Sequence, residues 1–244
     1  MRDSDKIPSL RDLKIKIFSD GADLDSIAEA YQKGIVKGFT TNPTLMAKAG
    51  VTNYLTFARE LLRIVPDLPV SFEVFSDEFA GMREQALTLK ALAGNVYVKI
   101  PITNTRGESA VPLIGELSRM GLKLNITAMM TLPQVRDVAA ALDPAGAAFV
   151  SVFAGRIADS GRDPLPIMQE ALTVLKSRPR AELLWASPRE ALNILQAEWM
   201  GCHIITVTPD LLAKAASFGK DLDTFSLDTV KMFYNDARKS GFSI

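Results

Sequence analysis

The segment VYVKIP at residues 96–101 places one lysine, Lys99, inside a run of apolar and β-forming residues. Seven other short runs have the same apolar character, and turn-forming or polar residues bound them, as is typical of buried strands. The eight predicted strands cover residues 15–19, 36–40, 70–75, 96–102, 122–129, 148–153, 183–186 and 204–207.

A segment of helical length and periodicity follows each predicted strand. These predicted helices cover residues 25–31, 54–65, 79–91, 112–120, 132–142, 165–175, 189–200 and 211–217. Regular alternation of strands and helices predicts a parallel sheet that is covered by helices. Eight repeats within 244 residues favour an α/β fold of the closed (β/α)8 TIM barrel type, and an open doubly wound sheet stays the alternative.

The chain after residue 220 extends beyond the eight repeats. Residues 222–241 carry Leu227, Val230 and Phe233 at helical spacing opposite a polar face, which predicts one additional C-terminal helix. We expect this helix to cover a barrel end or to contact a second subunit. Because no linker or low-complexity tract interrupts the sequence, we interpret residues 1–244 as one domain with a helical extension over residues 221–244.

The composition excludes several classes of protein. Lys and Arg number 28 and Asp and Glu also number 28, so the net charge is zero, which argues against a nucleic-acid partner. The single cysteine rules out an internal disulfide framework, and the single histidine rules out a multi-histidine metal site, so we expect no metal. No apolar stretch is long enough for a signal peptide or a membrane span, and we therefore expect a cytoplasmic protein without a membrane partner.

Polar residues recur at matching places in or directly after the predicted strands. Successive members lie 22, 31, 26, 26 and 26 residues apart, which is about the length of one β/α unit: Asp20, Asn42, Glu73, Lys99, Asn125 and Ser151. Because reactive groups of such barrels lie at the C-terminal ends of the strands, we expect these side chains to form a ring there. Strand alternation places Thr127 on the same side as Asn125, and Phe153 on the same side as Ser151.

Lys99 is the most informative of these residues. Burying an isolated ammonium group is costly, and buried lysines commonly respond with a lowered pKa that makes the amine nucleophilic. The alternative is a purely structural ion pair with Glu73 or Asp20. The two carboxylates suit proton transfer, whereas the neutral side chains of the ring suit hydrogen bonding to a polyol or ordinary packing.

Two arginines, Arg156 and Arg189, follow late strands. Loops at this position of a barrel often hold a phosphate, which a guanidinium group binds with two parallel hydrogen bonds. We expect Ser187 to cap the next helix with Pro188 at its first position, which would leave helix N–H groups for an anion. Surface salt bridges are the alternative role for both arginines.

Seven short motifs follow one another along the chain between residues 16 and 212. They are FSD at 18–20, GFTTNPT at 38–44, FEV at 72–74, VKIP at 98–101, NIT at 125–127, SVFAGRI at 151–157 and ASPR at 186–189. In this order they resemble the transaldolase family, including its short branch, which overlaps with fructose 6-phosphate aldolase. The resemblance implies a class I Schiff-base enzyme that needs no cofactor and acts on sugars or sugar phosphates of the kind found in the pentose phosphate pathway.

The resemblance also implies a role for each group that takes part in the chemistry. Lys99 attacks the ketose carbonyl. Asp20 takes the proton from the hydroxyl next to the bond that breaks. Glu73 and Thr127 hold a water that relays protons while the Schiff base forms.

The remaining roles implied by the resemblance concern binding. The dihydroxyacetone portion is oriented by Asn42, Asn125 and Ser151. The acceptor phosphate is bound by Arg156, Ser187 and Arg189. Relatives are oligomeric, so we expect a homo-oligomer.

Two residues separate the branches of this family. The transferase branch resembles this chain in having glutamate at position 73 and phenylalanine at position 153, where the aldolase branch has glutamine and tyrosine. We therefore expect transfer of a dihydroxyacetone unit rather than its release. Pro188 stands where the family has an aromatic residue, so a sugar outside the usual acceptors is an alternative, as are an aldolase and an unreactive sugar-binding barrel.

Overall fold

All eight predicted strands are present and close into a barrel in a computed structural model that describes residues 7–242. Each strand pairs in parallel with its neighbours in the chain, and the last strand pairs with the first. The strands are β1 Lys16–Asp20, β2 Phe39–Thr40, β3 Val70–Glu73, β4 Val96–Pro101, β5 Leu124–Met129, β6 Ala148–Val152, β7 Ala181–Trp185 and β8 Ile204–Val207. The predicted (β/α)8 barrel is therefore confirmed, and the open sheet is excluded.

Helices cover the outside of the barrel, and all the predicted ones are present. They are α1 Leu24–Lys33, α3 Tyr54–Ile64, α4 Phe79–Lys90, α5 Val111–Arg119, α6 Leu132–Ala141, α8 Leu165–Leu175, α9 Leu192–Trp199 and α10 Pro209–Lys214, which a 3-10 turn extends over Ala215–Ser217. Two further helices, α2 Pro43–Lys48 and α7 Ala154–Asp159, begin directly after strand segments and were not predicted. Each has six residues, which is too short for a periodic apolar pattern to stand out.

Local chemistry explains several of the helix starts. The Asp23 carboxylate accepts a hydrogen bond from the Ser26 amide at 2.9 Å and caps α1. Thr131 and Gln134 form a reciprocal capping box at α6, with Pro133 in the first turn. Asn42 caps α2 through its side-chain oxygen, which accepts from the Leu45 amide at 3.0 Å.

The strands separate two apolar cores. The outer core fills the space between strands and helices, and Val98, Ile100 and Ile126 are among its residues. The inner core fills the N-terminal part of the barrel, where Phe149 packs against Phe18 and stacks on the Tyr97 ring at 3.9 Å. This inner core closes one end of the barrel, so the polar side chains meet at the other end.

The C-terminal helix α11, Leu222–Lys239, confirms the predicted additional helix. Its N-cap is Asp221, and it has no buried residue. The apolar side chains of Phe225, Val230 and Phe233 are exposed in the single chain. A contact with a second subunit through this face stays a prediction, as does the single-domain organisation of residues 1–244.

Between residues 7 and 242, no helix is both long enough and apolar enough to span a bilayer. In the same part of the chain, no three His, Cys, Asp or Glu side chains are grouped in a way that could hold a metal ion. Cys202 is buried beside the N-terminal end of β8, at the end of the barrel opposite the polar ring.

Candidate active site

One cavity at the C-terminal ends of the strands contains every residue that the sequence singled out for a site. Its volume is about 570 Å³. The eleven predicted residues that line it are Asp20, Asn42, Glu73, Lys99, Asn125, Thr127, Ser151, Phe153, Arg156, Ser187 and Arg189. The expected ring of polar side chains is therefore present, although the role of each member stays a prediction.

Strand register brings the central residues together. Glu73 on β3 lies opposite Lys99 on β4, and Lys99 lies opposite Asn125 on β5. In parallel strands at equal register, side chains on the same face are neighbours. The inward residues of three consecutive strands therefore form one row across the cavity.

Lys99 is buried, with 8% of its surface exposed. Its Nζ lies 3.2 Å from Glu73 Oε2 and donates a hydrogen bond to the backbone oxygen of Thr41 at 3.2 Å. A buried ammonium needs such partners because its desolvation is costly. The amine is thus held by two oxygen atoms while it borders the cavity.

Asp20 occupies the end of β1 and is partly buried. Its Oδ1 accepts a hydrogen bond from Thr40 Oγ1 at 2.7 Å, and its Oδ2 accepts a longer one from Asn42 Nδ2 at 3.4 Å. Burial raises the pKa of Asp20, and the positive charge of Lys99 together with these two hydrogen bonds opposes part of that rise. Asp20 is therefore a more basic carboxylate than one in water.

Thr127 presents a buried hydroxyl that has no hydrogen-bond partner among residues 7–242. A β-bulge follows it, because the register of β5 shifts between Ile126 and Met129 and Ala128 has a φ of 62°. Buried hydroxyls are almost always satisfied, so an orphaned one on a cavity wall is fitted to bind an oxygen of a ligand or a water.

Asn125 and Ser151 form a buried network on the neighbouring wall. Ser151 Oγ donates to Asn125 Oδ1 at 2.7 Å, and Asn125 Nδ2 donates to Ser71 Oγ at 3.0 Å. Sequence reasoning missed Ser71, whose signal was its inward parity with Glu73 two residues later. The network fixes the Asn125 amide so that one N–H of its Nδ2 group stays available.

The two arginines lie at the outer edge of the cavity. Arg189 forms a two-pronged ion pair with Asp159, in which Nε donates to Oδ1 at 2.8 Å and Nη2 bonds Oδ2. Its Nη1 donates to Ser187 Oγ at 2.9 Å, and Arg156 lies 5.8 Å from the centre of the Phe153 ring. Sequence reasoning missed Asp159 as a partner because it ends the short helix α7, which was not predicted.

The prediction that Ser187 caps the following helix is wrong. Helix α9 begins at Leu192, and Ser187 has a φ of 60°, whereas an N-cap residue is normally extended. The physical reason is close packing against α7, because a Cβ atom on Gly155 would overlap the carbonyl oxygen of Ser187. The Ser187 hydroxyl oxygen instead accepts a hydrogen bond from Arg189 Nη1, and the Asn193 side chain accepts one from the Arg189 amide at 2.8 Å.

Sequence comparison matches this chain to one known family. The sequence profile of the family Transaldolase/Fructose-6-phosphate aldolase matches residues 17–244. A protein of Thermoanaerobacter sp. named "Probable transaldolase" is 35% identical over 231 residues, which are 94% of this chain and 100% of that protein. A protein of Caldicellulosiruptor saccharolyticus with the same name is 37% identical over 195 residues, which are 79% of this chain and 85% of that protein.

Solved structures share the fold at a greater distance. The crystal structure of 2,3-dimethylmalate lyase, a PEP mutase/isocitrate lyase superfamily member, superposes with a TM-score of 0.54 at 14% identity. The match covers 96% of this chain and 86% of that one. At this identity the likeness concerns the barrel and not its chemistry.

Replacing Asp20 with asparagine is expected to make the protein more stable at neutral pH. A carboxylate whose pKa is raised on folding costs stability above its unfolded pKa, and asparagine removes this cost while keeping an acceptor for Thr40. We expect Asp20→Asn to raise Tm by about 2–4 °C at pH 7, with the gain vanishing below about pH 4. Thermal unfolding at both pH values measures this, and a variant that is less stable at pH 7 contradicts it.

Proposed function

The chain belongs to the transaldolase/fructose-6-phosphate aldolase family, and we propose that it moves a dihydroxyacetone unit from a ketose or ketose phosphate to an aldose or aldose phosphate. The observation that carries this proposal is the buried Lys99 amine, which lies 3.2 Å from Glu73 and borders the same cavity as Asp20. An amine of this kind with two nearby carboxylates is equipped for covalent catalysis on a carbonyl compound.

The first step of the proposed reaction is formation of a Schiff base. Glu73 takes one proton from the Lys99 ammonium group, and the freed Nζ attacks the ketose carbonyl carbon. The carbonyl oxygen then leaves as water after taking up two protons that came from the nitrogen, one of them by way of Glu73. Glu73 is the carboxylate next to the amine, and the orphaned Thr127 hydroxyl can bind a water that passes protons between them. The product is an iminium ion between Lys99 and the donor sugar.

The second step breaks the carbon–carbon bond. Asp20 takes the proton from the hydroxyl on the carbon beyond the bond, and the bonding electrons move into the iminium group. An aldehyde leaves, and a three-carbon enamine stays on Lys99. In the reverse sense the enamine adds to an acceptor aldehyde, Asp20 returns the proton, and water releases the new ketose from the lysine.

Neutral side chains orient the dihydroxyacetone portion of the substrate in this proposal. Asn42 caps α2 with its oxygen and thereby turns its Nδ2 toward the cavity, where Asn125 and Ser151 form the opposite wall. These groups keep their hydrogen-bonding capacity throughout the reaction, since none of them changes its charge. We propose that they hold the hydroxyls of the three-carbon unit.

The outer edge of the cavity suits the far end of the substrate. Arg156 and Arg189 are placed to receive a phosphate, and Ser187 adds a hydroxyl to the same edge. Asp159 already occupies both prongs of the Arg189 guanidinium, so a phosphate would meet a partly neutralised arginine. An unphosphorylated or unusual aldose as acceptor is therefore the second candidate at this edge.

The alternative reaction is aldol cleavage with release of dihydroxyacetone. Release requires water to reach the enamine and protonate it before an acceptor arrives. Glutamate at position 73 supports transfer, because in this position the chain resembles the transferase branch of the family and not the aldolase branch, which has glutamine there. Measuring free dihydroxyacetone in the presence and absence of an acceptor aldehyde separates the two reactions.

Borohydride reduction in the presence of fructose 6-phosphate is expected to leave a covalent adduct on Lys99, which has six carbons when the iminium ion of the donor is reduced and three carbons when the enamine has first been protonated to its iminium form. The reason is that an iminium ion with an enzyme lysine is reduced to a stable secondary amine. Intact mass measurement and peptide mapping check this, with Lys99→Met as the variant that should lose the adduct. Lys123→Met, at the closed end of the barrel, should keep it. An adduct on another lysine, or none, contradicts the proposed function.

Replacing Glu73 with glutamine is expected to slow transfer by about 100-fold or more, because the carboxylate that relays protons is lost. We expect the ratio of released dihydroxyacetone to transferred product to rise at the same time. Glu182→Gln serves as the control, since this strand carboxylate pairs with Lys16 and does not line the cavity. Unchanged transfer in the Glu73 variant would exclude the relay role.

Replacing Arg189 with alanine is expected to raise the KM for a phosphorylated aldose acceptor by about tenfold or more, since a charge-assisted hydrogen bond is lost. The KM for the matching unphosphorylated aldose should change little. Arg136→Ala, which removes a surface ion pair with Glu170, is the control. An equal loss with both acceptors shows that Arg189 does not bind a phosphate.

A further inference from the structure

Two buried threonines connect to Asp20 in a chain of hydroxyl groups. Thr40 Oγ1 lies 2.7 Å from Asp20 Oδ1, and Thr206 Oγ1 lies 2.6 Å from Thr40 Oγ1. The three residues come from β2, β8 and β1, and β1 pairs with both of the other strands. Thr40 and Thr206 are 3% and 6% exposed, and both border the cavity that contains Asp20.

The direction of the hydrogen atoms in this chain follows from donor counting. A carboxylate only accepts, and a threonine hydroxyl has one hydrogen to donate. Thr40 therefore gives its hydrogen to Asp20 Oδ1, and its oxygen must accept from Thr206. Hydrogen bonds aligned in this way polarise one another, so the Thr206 hydroxyl strengthens the bond that Thr40 makes to the carboxylate.

The two oxygens of Asp20 are consequently not equivalent. Oδ1 is held by the short bond from Thr40, whereas Oδ2 receives the 3.4 Å contact from Asn42 Nδ2. The orientation of Asn42 is fixed separately, because its oxygen caps α2 by accepting from the Leu45 amide. Oδ2 is therefore the less engaged oxygen and the one with capacity to take up a proton.

We propose that Thr206 is a positioning residue for the reaction, which acts through Thr40 to hold Oδ1 of Asp20 and so leaves Oδ2 to exchange the substrate proton. The role in proton exchange rests on the proposed function, whereas the effect of the chain on the carboxylate does not. A threonine that served packing alone could donate to a backbone oxygen, as the buried Thr41 does to Ser71 at 3.1 Å.

The charges around Asp20 determine how loss of the hydroxyl chain should change the pKa of Asp20. Lys99, on β4, supplies the positive charge that acts on Asp20, and Glu73 is the anion paired with that lysine. The strands beside β1 contribute the hydroxyls of Thr40 and Thr206. Removing the Thr206 hydroxyl weakens a bond to the charged form of Asp20, and burial already disfavours that form, so the pKa of Asp20 should rise further.

The direct test is a carbon-13 NMR titration of the Asp20 carboxyl, assigned by its disappearance in Asp20→Asn. Thr206→Val removes the hydroxyl at nearly constant volume, and we expect it to raise the pKa of Asp20 by about 0.5–1. Thr206→Ser should restore the wild-type titration. Thr206→Ala provides the same test should valine not be accommodated in the barrel. An unshifted Asp20 in these variants overturns the proposal.

Kinetics of transfer supply the second readout. Thr206→Val should lower kcat several-fold and leave the KM for the donor ketose unchanged, with both values restored in Thr206→Ser. A raised KM with unchanged kcat would mean that Thr206 binds the substrate directly, which also overturns the proposal. Ser118→Ala is the control for loss of a buried hydroxyl, because Ser118 bonds the Asp143 amide far from the cavity.

The Asp20 titration and the borohydride adduct together distinguish failure of the hydroxyl chain from failure of the proposed reaction. A shifted Asp20 titration in a protein that forms no borohydride adduct with fructose 6-phosphate would refute the proposed reaction and keep the hydroxyl chain. An adduct on Lys99 together with an unshifted Asp20 would refute the chain and keep the reaction.

Discussion

The pairing of Lys99 with Glu73 across β3 and β4 is the contact on which the rest of the site depends. A buried ammonium is tolerated only when partners compensate for the water it has lost, and here a carboxylate and a backbone oxygen do so. The same requirement fixes where the amine lies. Because equal register places Glu73 beside Lys99, the amine and the carboxylate stand together at one height in the barrel.

The barrel divides its interior into two regions with different physical roles. Phe18, Tyr97 and Phe149 fill the N-terminal part with stacked and edge-on aromatic rings. Burial of a large apolar side chain of this kind contributes about 1.5–3 kcal/mol, which helps to offset the cost of burying charges above it. Because these rings fill the N-terminal part, the polar groups meet at the other end, where they contact one another at short range.

The side chains of the cavity become more exposed from its centre to its edge. At the centre, Asp20 and Lys99 are partly or wholly buried and bonded to fixed partners. At the edge, Arg189 and Asp159 are exposed and form an ion pair that water screens. The groups at the centre are therefore held in fixed positions, whereas the ion pair at the edge is exposed and can be reorganised more easily.

The sequence alone determines three features of this protein. They are the pattern of strands and helices, the inward direction of Lys99 and Asn125, and the regular recurrence of polar groups from Asp20 to Ser151. These features could be predicted because alternation along a strand and the length of one β/α unit are local properties of the chain. Only the tertiary structure decided three other features. They are the pairing of β8 with β1, the hydrogen bonds from Thr206 through Thr40 to Asp20, and the ion pair of Arg189 with Asp159. The left-handed turn at Ser187 belongs with them, since it results from packing against Gly155. Each of these contacts joins residues from separate strands, helices or loops, and their distances depend on how the barrel closes, which no local pattern of residues encodes.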